Sequence, residues 1–133
     1  MEKVADHADF GVWFDTIRDG GEFSLPFVDK PYALLLVINR ADIGAVEQEQ
    51  LSDKIVASGC RYALCFGHEC GTWDDSIDHS FVCSDPNFDP PDSRFVMTTW
   101  HENETIDDVV FQLRWNTTRF CSQRVSRGFC WGE

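Results

Sequence analysis

The sequence predicts an α/β fold: a small three-layer domain whose parallel or mostly parallel sheet has three to five strands, with helices on both faces, in βαβαβα order. Three observations carry this. Residues 32–39 form a nearly unbroken apolar run, of a length that suits a strand buried on both faces. Apolar runs of strand length then alternate with stretches of helical period. Ile106, Val109, Val110 and Leu113 recur at i, i+3, i+4 and i+7, the stripe of an amphipathic helix lying on a sheet.

Taken in order, residues 11–17 read as a short strand, and Asp19-Gly20-Gly21 as a turn that exploits glycine's freedom of φ. Pro26 and Pro31 bracket a connector. After the strand at 32–39, Asp42 is expected to cap a helix. Ile43, Val46, Leu51 and Ile55 should lie on its dry side, and Glu47, Gln48, Gln50 and Asp53 on its wet side. Ser58-Gly59 ends it. Residues 60–66 form the next strand, broken by Gly67. A helix is expected from Thr72, with Asp75 at capping-box spacing and Trp73, Ile77 and Phe81 at i, i+4 and i+8. Asp85-Pro86 ends that segment, and residues 86–92 read as loop. Residues 95–100 form the third strand. Thr105 caps the last helix, with Asp108 three residues on and acidic groups in the first turn to suit the helix dipole. Beyond Asn116 the period is lost among Arg119, Phe120, Cys121, Arg124, Arg127, Phe129, Cys130 and Trp131. The expectation is therefore one domain over 1–133, with a core at 10–115 and an Arg- and Cys-rich tail at 116–133 that covers a sheet edge or stays poorly ordered.

A chain of 133 residues with 43% hydrophobic and 14% aromatic content suits one folded core rather than disorder. Its longest apolar run is far too short for a membrane span, and residues 1–6 lack the charged-then-apolar pattern of an export signal. The expected location is the cytoplasm, so the six cysteines read as reduced, mostly structural thiols. The net charge of −12 repels nucleic-acid phosphates and anionic lipid, and attracts a basic partner. No G-x-G-x-x-G and no phosphate-loop lysine are present, so no nucleotide cofactor is expected.

The acidity is concentrated. Residues 72–108 carry ten acidic side chains against the single Arg94. In a parallel sheet, the loops that follow the strands gather at one carboxyl edge. That edge would pool His68, Glu69, Trp73, Asp74 and Asp75 from one loop with Trp100, His101, Glu102 and Glu104 from the next. The candidate binding set is Trp73, Asp74, Asp75, Asp78, Trp100, His101, Glu102 and Glu104, a combination in which an aromatic anchors and charge steers. Should the edge be catalytic, Cys70 would be a nucleophile at a helix start. His101 would be its base, with Glu102 or Asp74 orienting the imidazole. Metal binding is not expected. The pairs Cys65/Cys70 (with His68 between) and His79/Cys83 are spaced more tightly than a zinc finger. Asp74, Asp75, Asp78 and Glu102 read as capping and solvated carboxylates rather than ligands of a hard cation.

The strings Ser58-Gly59-Cys60-Arg61-Tyr62, Cys70 with Trp73-Asp74-Asp75-Ser76-Ile77-Asp78, and Phe95-Val96-Met97-Thr98-Thr99-Trp100-His101-Glu102 resemble a family of small uncharacterised bacterial domains, over roughly residues 30–115. The resemblance implies a compact α/β domain in which Trp73, Asp74, Asp75, Asp78, Trp100, His101 and Glu102 recur. It also implies a further apolar strand near the end, which the Arg- and Cys-rich tail replaces here. The functional expectation is an acidic, non-enzymatic protein-binding domain, an immunity protein or antitoxin that covers a basic partner. A small hydrolase or transferase using Cys70, His101 and Glu102, or a regulatory scaffold domain, are the alternatives.

Overall fold

The computed structural model describes residues 2–7, 10–14, 30–120 and 127–132, with side chains described over 30–116. The elements are β1 (Glu2–His7), β2 (Phe10–Phe14), β3 (Tyr32–Ile38), α1 (Ala45–Ala57), β4 (Cys60–Gly67), α2 (Cys70–Cys83), β5 (Met97–His101), α3 (Ile106–Phe120) and β6 (Arg127–Gly132), with a 3-10 turn at Asp92–Arg94. Six strands make one sheet in the order β1-β2-β6-β3-β4-β5. All neighbours pair in parallel except β1 and β2, which are antiparallel.

The expected α/β architecture, with helices on both faces of a mostly parallel sheet, is present, but the sheet has six strands rather than three to five. Strand β3 alternates between two cores. Its Tyr32, Leu34, Leu36 and Ile38 join Leu51 and Ile55 of α1 and Trp73 and Ile77 of α2 on one face. Its Ala33 and Leu35 join Tyr62 and Leu64 of β4 and Val109 and Leu113 of α3 on the other. This explains why residues 32–38 are apolar without alternation: both faces are covered, so neither can be polar. Helices α1 and α2 also meet directly through a 2.8 Å hydrogen bond between the Ser52 and Ser76 hydroxyls. The four cysteines with described side chains are free; Cys60, Cys65 and Cys70 are buried and Cys83 is exposed.

Four local expectations need correction. Asp42 does not cap α1. Gly44 holds that position with no side-chain cap, and Asp42 is drawn instead into a two-pronged pair with Arg40 at 2.9 Å. Val46, expected on the dry side, is exposed, because α1 starts at Ala45 and turns it outward. Helix α2 starts at Cys70, not Thr72, so the Thr72/Asp75 capping box does not form; the Thr72 hydroxyl donates to the Glu69 carbonyl at 2.8 Å. Finally, the chain beyond Asn116 is not only a tail. Helix α3 runs on to Phe120, and β6 inserts between β2 and β3. The further strand that the tail was expected to replace is therefore there, in the interior of the sheet. Its placement rests on pairing to residues far away in sequence, which no local period records. The cap at Thr105 forms as expected, its hydroxyl accepting from the Asp108 amide at 3.2 Å.

Among the described residues, no helix is long and apolar enough to cross a membrane.

Candidate functional site

The loops after β4 and β5 lie side by side, as the sheet topology requires of adjacent parallel strands. Gly67 ends β4 with a φ of +104°, and the His68 amide then donates to the Ile38 carbonyl at 2.8 Å. The chain turns into α2 through Glu69, which sits in the left-handed region at φ 49°. The loop after β5 has a matching feature, Asn103 at φ 60°. A non-glycine residue in that region costs on the order of 1 kcal/mol. Two of them at one sheet edge place the strain beside the acidic groups. A side chain at Gly71, in the first turn of α2, would contact Trp100 Cδ1 and Glu102 Oε1 at 3.8 and 3.9 Å, so the two loops meet there.

Between them is a groove of about 390 Å³ lined by Glu69, Gly71, Thr72, Asp74, Asp75, Trp100 and Glu102. Four of these are carboxylates, and Trp100 stands 55% exposed at the side. Of the expected binding set, Asp74, Asp75, Trp100 and Glu102 share this groove. Glu69, Gly71 and Thr72 complete it; Glu69 was legible as a loop acid, and the other two only through their place on the first turn of α2.

The remaining members go elsewhere, for two physical reasons. Trp73 is only 4% exposed and belongs to the core under α1 and α2. The same i, i+4 stripe with Ile77 that predicted a helix also marked it as a core residue. The second reason is the period of two along a strand. Thr98 and Trp100 face α2, while Met97, Thr99 and His101 face α3; the neighbours of Met97, Thr99 and His101 on β4 are Tyr62, Leu64 and Phe66 of the α3-side core. Asp78, on α2, holds β5 in place by accepting from the Thr98 hydroxyl at 2.5 Å. His101 is buried on the opposite side, with its Nδ1 2.6 Å from Glu104 Oε2 and its Nε2 2.8 Å from Thr99 Oγ1. Gln112 of α3 donates to the other Glu104 oxygen at 2.8 Å, and Asn116 donates to the Tyr62 hydroxyl at 3.3 Å. The result is a polar seam fastening α3 to β4 and β5. Glu104 is held below the usual carboxylate range by its hydrogen bonds from Gln112 and His101.

Cys70 is buried in the core on the α2 side and His101 is buried on the α3 side, so the sheet lies between the expected nucleophile and its expected base. Burial also pushes the neighbouring Cys65 thiol well above its ordinary value, which keeps it protonated and inert. Among the described residues, no three histidine, cysteine, aspartate or glutamate side chains converge closely enough to hold a metal ion.

Asp74 is the exceptional group of the groove. It is only 5% exposed, and its Oδ1 has no hydrogen-bond partner. Burial pushes its pKa above the ordinary 3.8; the nearby Thr98 hydroxyl opposes the shift, and the charges of Asp78 and Asp75 add to it. A carboxyl whose folded pKa is raised binds its proton more tightly in the folded state. Stability therefore falls as pH rises from about 3.8 through the raised value. Asp74→Asn removes the ionised form, and should raise the unfolding free energy by about 1 kcal/mol near neutral pH. The gain should shrink toward zero as pH falls to 3.8. Urea melts of both proteins across that range check it; a variant less stable than the native chain at neutral pH would contradict the assignment of Asp74 as a strained anion.

Neither a curated protein nor a solved structure matches the chain. A family model does, over residues 16–128, and its description is a domain of unknown function, DUF7684. With a match that spans most of the sequence, the chain belongs to the DUF7684 family.

Proposed function

We propose that this is a non-enzymatic binding domain whose acidic groove receives a cationic group of a basic protein partner, in the manner of a bacterial immunity protein or antitoxin acting in the cytoplasm. The observation that carries the reading is Asp74: a carboxylate nearly removed from water, one oxygen unpartnered, in a groove with three other carboxylates and an exposed indole. A buried carboxylate with one oxygen left unpartnered is costly, and a lysine or arginine side chain entering the groove would relieve that cost. Trp100 would contribute a face for the cation and an apolar anchor, while Glu69, Asp75 and Glu102 supply the attraction that speeds encounter. A basic nuclease is one partner of this chemistry, since its phosphate-binding surface is complementary to such an edge.

The test reverses charge at exposed positions only. Lysine at the buried Asp74 would disrupt the fold and confuse the result. Asp75→Lys combined with Glu102→Lys should leave the thermal melt nearly unchanged and weaken capture of the basic partner that co-purifies from the native host. Affinity should fall by about 100-fold, with a shallower salt dependence. Capture at native strength by the double variant would remove the groove from the binding surface.

A further inference from the structure

A second cleft, of about 540 Å³, lies between the C-terminal halves of α1 and α2, over the start of β4 and far from the acidic groove's loops. Its walls carry opposite charges: Glu49 and Asp53 from α1, Arg61 from β4, and Arg94 from the 3-10 turn. His79, Ser80, Phe81 and Cys83 of α2 are also among the lining. The six lysines and arginines between residues 30 and 116 face fifteen acidic side chains, yet two of those six reach this one cleft.

Two observations point to a ligand. Ser80 is only 5% exposed, and its hydroxyl has no hydrogen-bond partner. A buried hydroxyl in a helix usually bonds a carbonyl one turn back, so an orphaned one lining a cleft is an unused donor. Further, although two guanidinium groups and two carboxylates line the same space, no ion pair closes between them among the described residues. Arg61 is positioned by a 3.1 Å hydrogen bond from its Nη1 to the Cys60 carbonyl, which leaves its other donors available. Arg94 is exposed.

We propose that this cleft binds a free α-amino acid. Its carboxylate would lie against Arg61 and Arg94, and the Ser80 hydroxyl, which has almost no accessible surface as placed, would turn about χ1 to donate to it. Its ammonium would lie toward Glu49 and Asp53, with the side chain along Phe81. A phosphate or simple carboxylate would meet the two acidic groups, and a simple cation would meet the two guanidinium groups. Only a dipolar ligand answers both walls at once.

The experiment titrates the full chain calorimetrically with each proteinogenic amino acid. At least one should bind with a submillimolar Kd, and its analogue lacking the amino group should bind about tenfold or more weakly. Arg94→Gln, at an exposed position where the fold should not respond, should weaken that binding about tenfold, as should Glu49→Gln on the opposite wall. Glu102→Lys, in the acidic groove, should leave it unchanged. Cys83 lines the same cleft and supplies a second readout: the bound amino acid should slow its alkylation by iodoacetamide, mapped by peptide mass. The proposal is overturned if no amino acid binds more tightly than about 1 mM, if the deaminated analogue binds equally well, or if Arg94→Gln binds as the native chain does.

Discussion

Gly67→Ala is expected to lower the unfolding free energy by about 4 kcal/mol. Gly67 has φ +104°, where an L side chain is strained in any surroundings. The surroundings are also closed: a Cβ there would lie 2.1 Å from the Ile38 carbonyl oxygen and 3.0 and 3.1 Å from Ile38 C and N. Those atoms are backbone of the central strand β3, so no side-chain rotation can relieve the contact. Either β4 separates from β3 at its end, or the residue that turns the chain toward Glu69 shifts. In both cases the groove is displaced along with the loss of stability. Gly44→Ala is the control. Its Cβ would meet nothing within 4 Å and its φ is −74°, so a change within about 1 kcal/mol is expected at that helix cap. Chemical denaturation of the three proteins decides it. Equal midpoints for Gly67→Ala and Gly44→Ala would mean that the β3–β4 junction is not closed as described.

His101→Ala is expected to cost about 3 kcal/mol, through lost packing and lost hydrogen bonds at a buried position. The imidazole bridges Thr99 and Glu104, and Glu104 in turn holds Gln112, so its removal loosens the start of α3 from the end of β5. Amide exchange should therefore rise along α3 more than along α1. A difference in pH response should accompany it. Glu104, with its folded pKa depressed below 4.5, contributes stability that is present above its unfolded value and is lost as pH falls through the folded value. His101→Ala removes one of the two hydrogen bonds that cause the depression, so the variant should lose less stability than the native chain between neutral pH and the acid limb. If the two pH profiles ran parallel, the imidazole would not be coupled to Glu104 and the seam would reduce to packing alone. Asp74 has the opposite sign, so the edge of the sheet carries two carboxyls that respond to acid in opposite directions: one hydrogen-bonded seam group and one strained groove group.

Much of this was legible from the residues in order. Helix and strand periods alternate along the chain, because each element needs one face or both faces apolar to reach a core. That alternation sufficed to place α1 and α2 between strands and α3 after the third core strand. It also sufficed to place the loops after β4 and β5 at a common edge, and Asp74, Asp75, Trp100 and Glu102 do share a groove there. The cap at Thr105 was legible because its hydrogen bond spans three residues.

What the tertiary structure alone decided lies at longer range. Strand β6 enters the middle of the sheet by pairing with Phe10–Phe14 and Tyr32–Ile38, and hydrogen-bond partners so distant leave no mark in a local pattern. The separation of Trp100 from His101 follows from a period of two that the sequence contains. Which face each would see, however, depended on where α2 and α3 dock. The partnerless oxygen of Asp74 and the unjoined charges around Ser80 are properties of assembled space. Composition determined that this chain would be acidic and folded; packing determined which acids lost their water, because desolvation depends on neighbours that only the closed fold brings together.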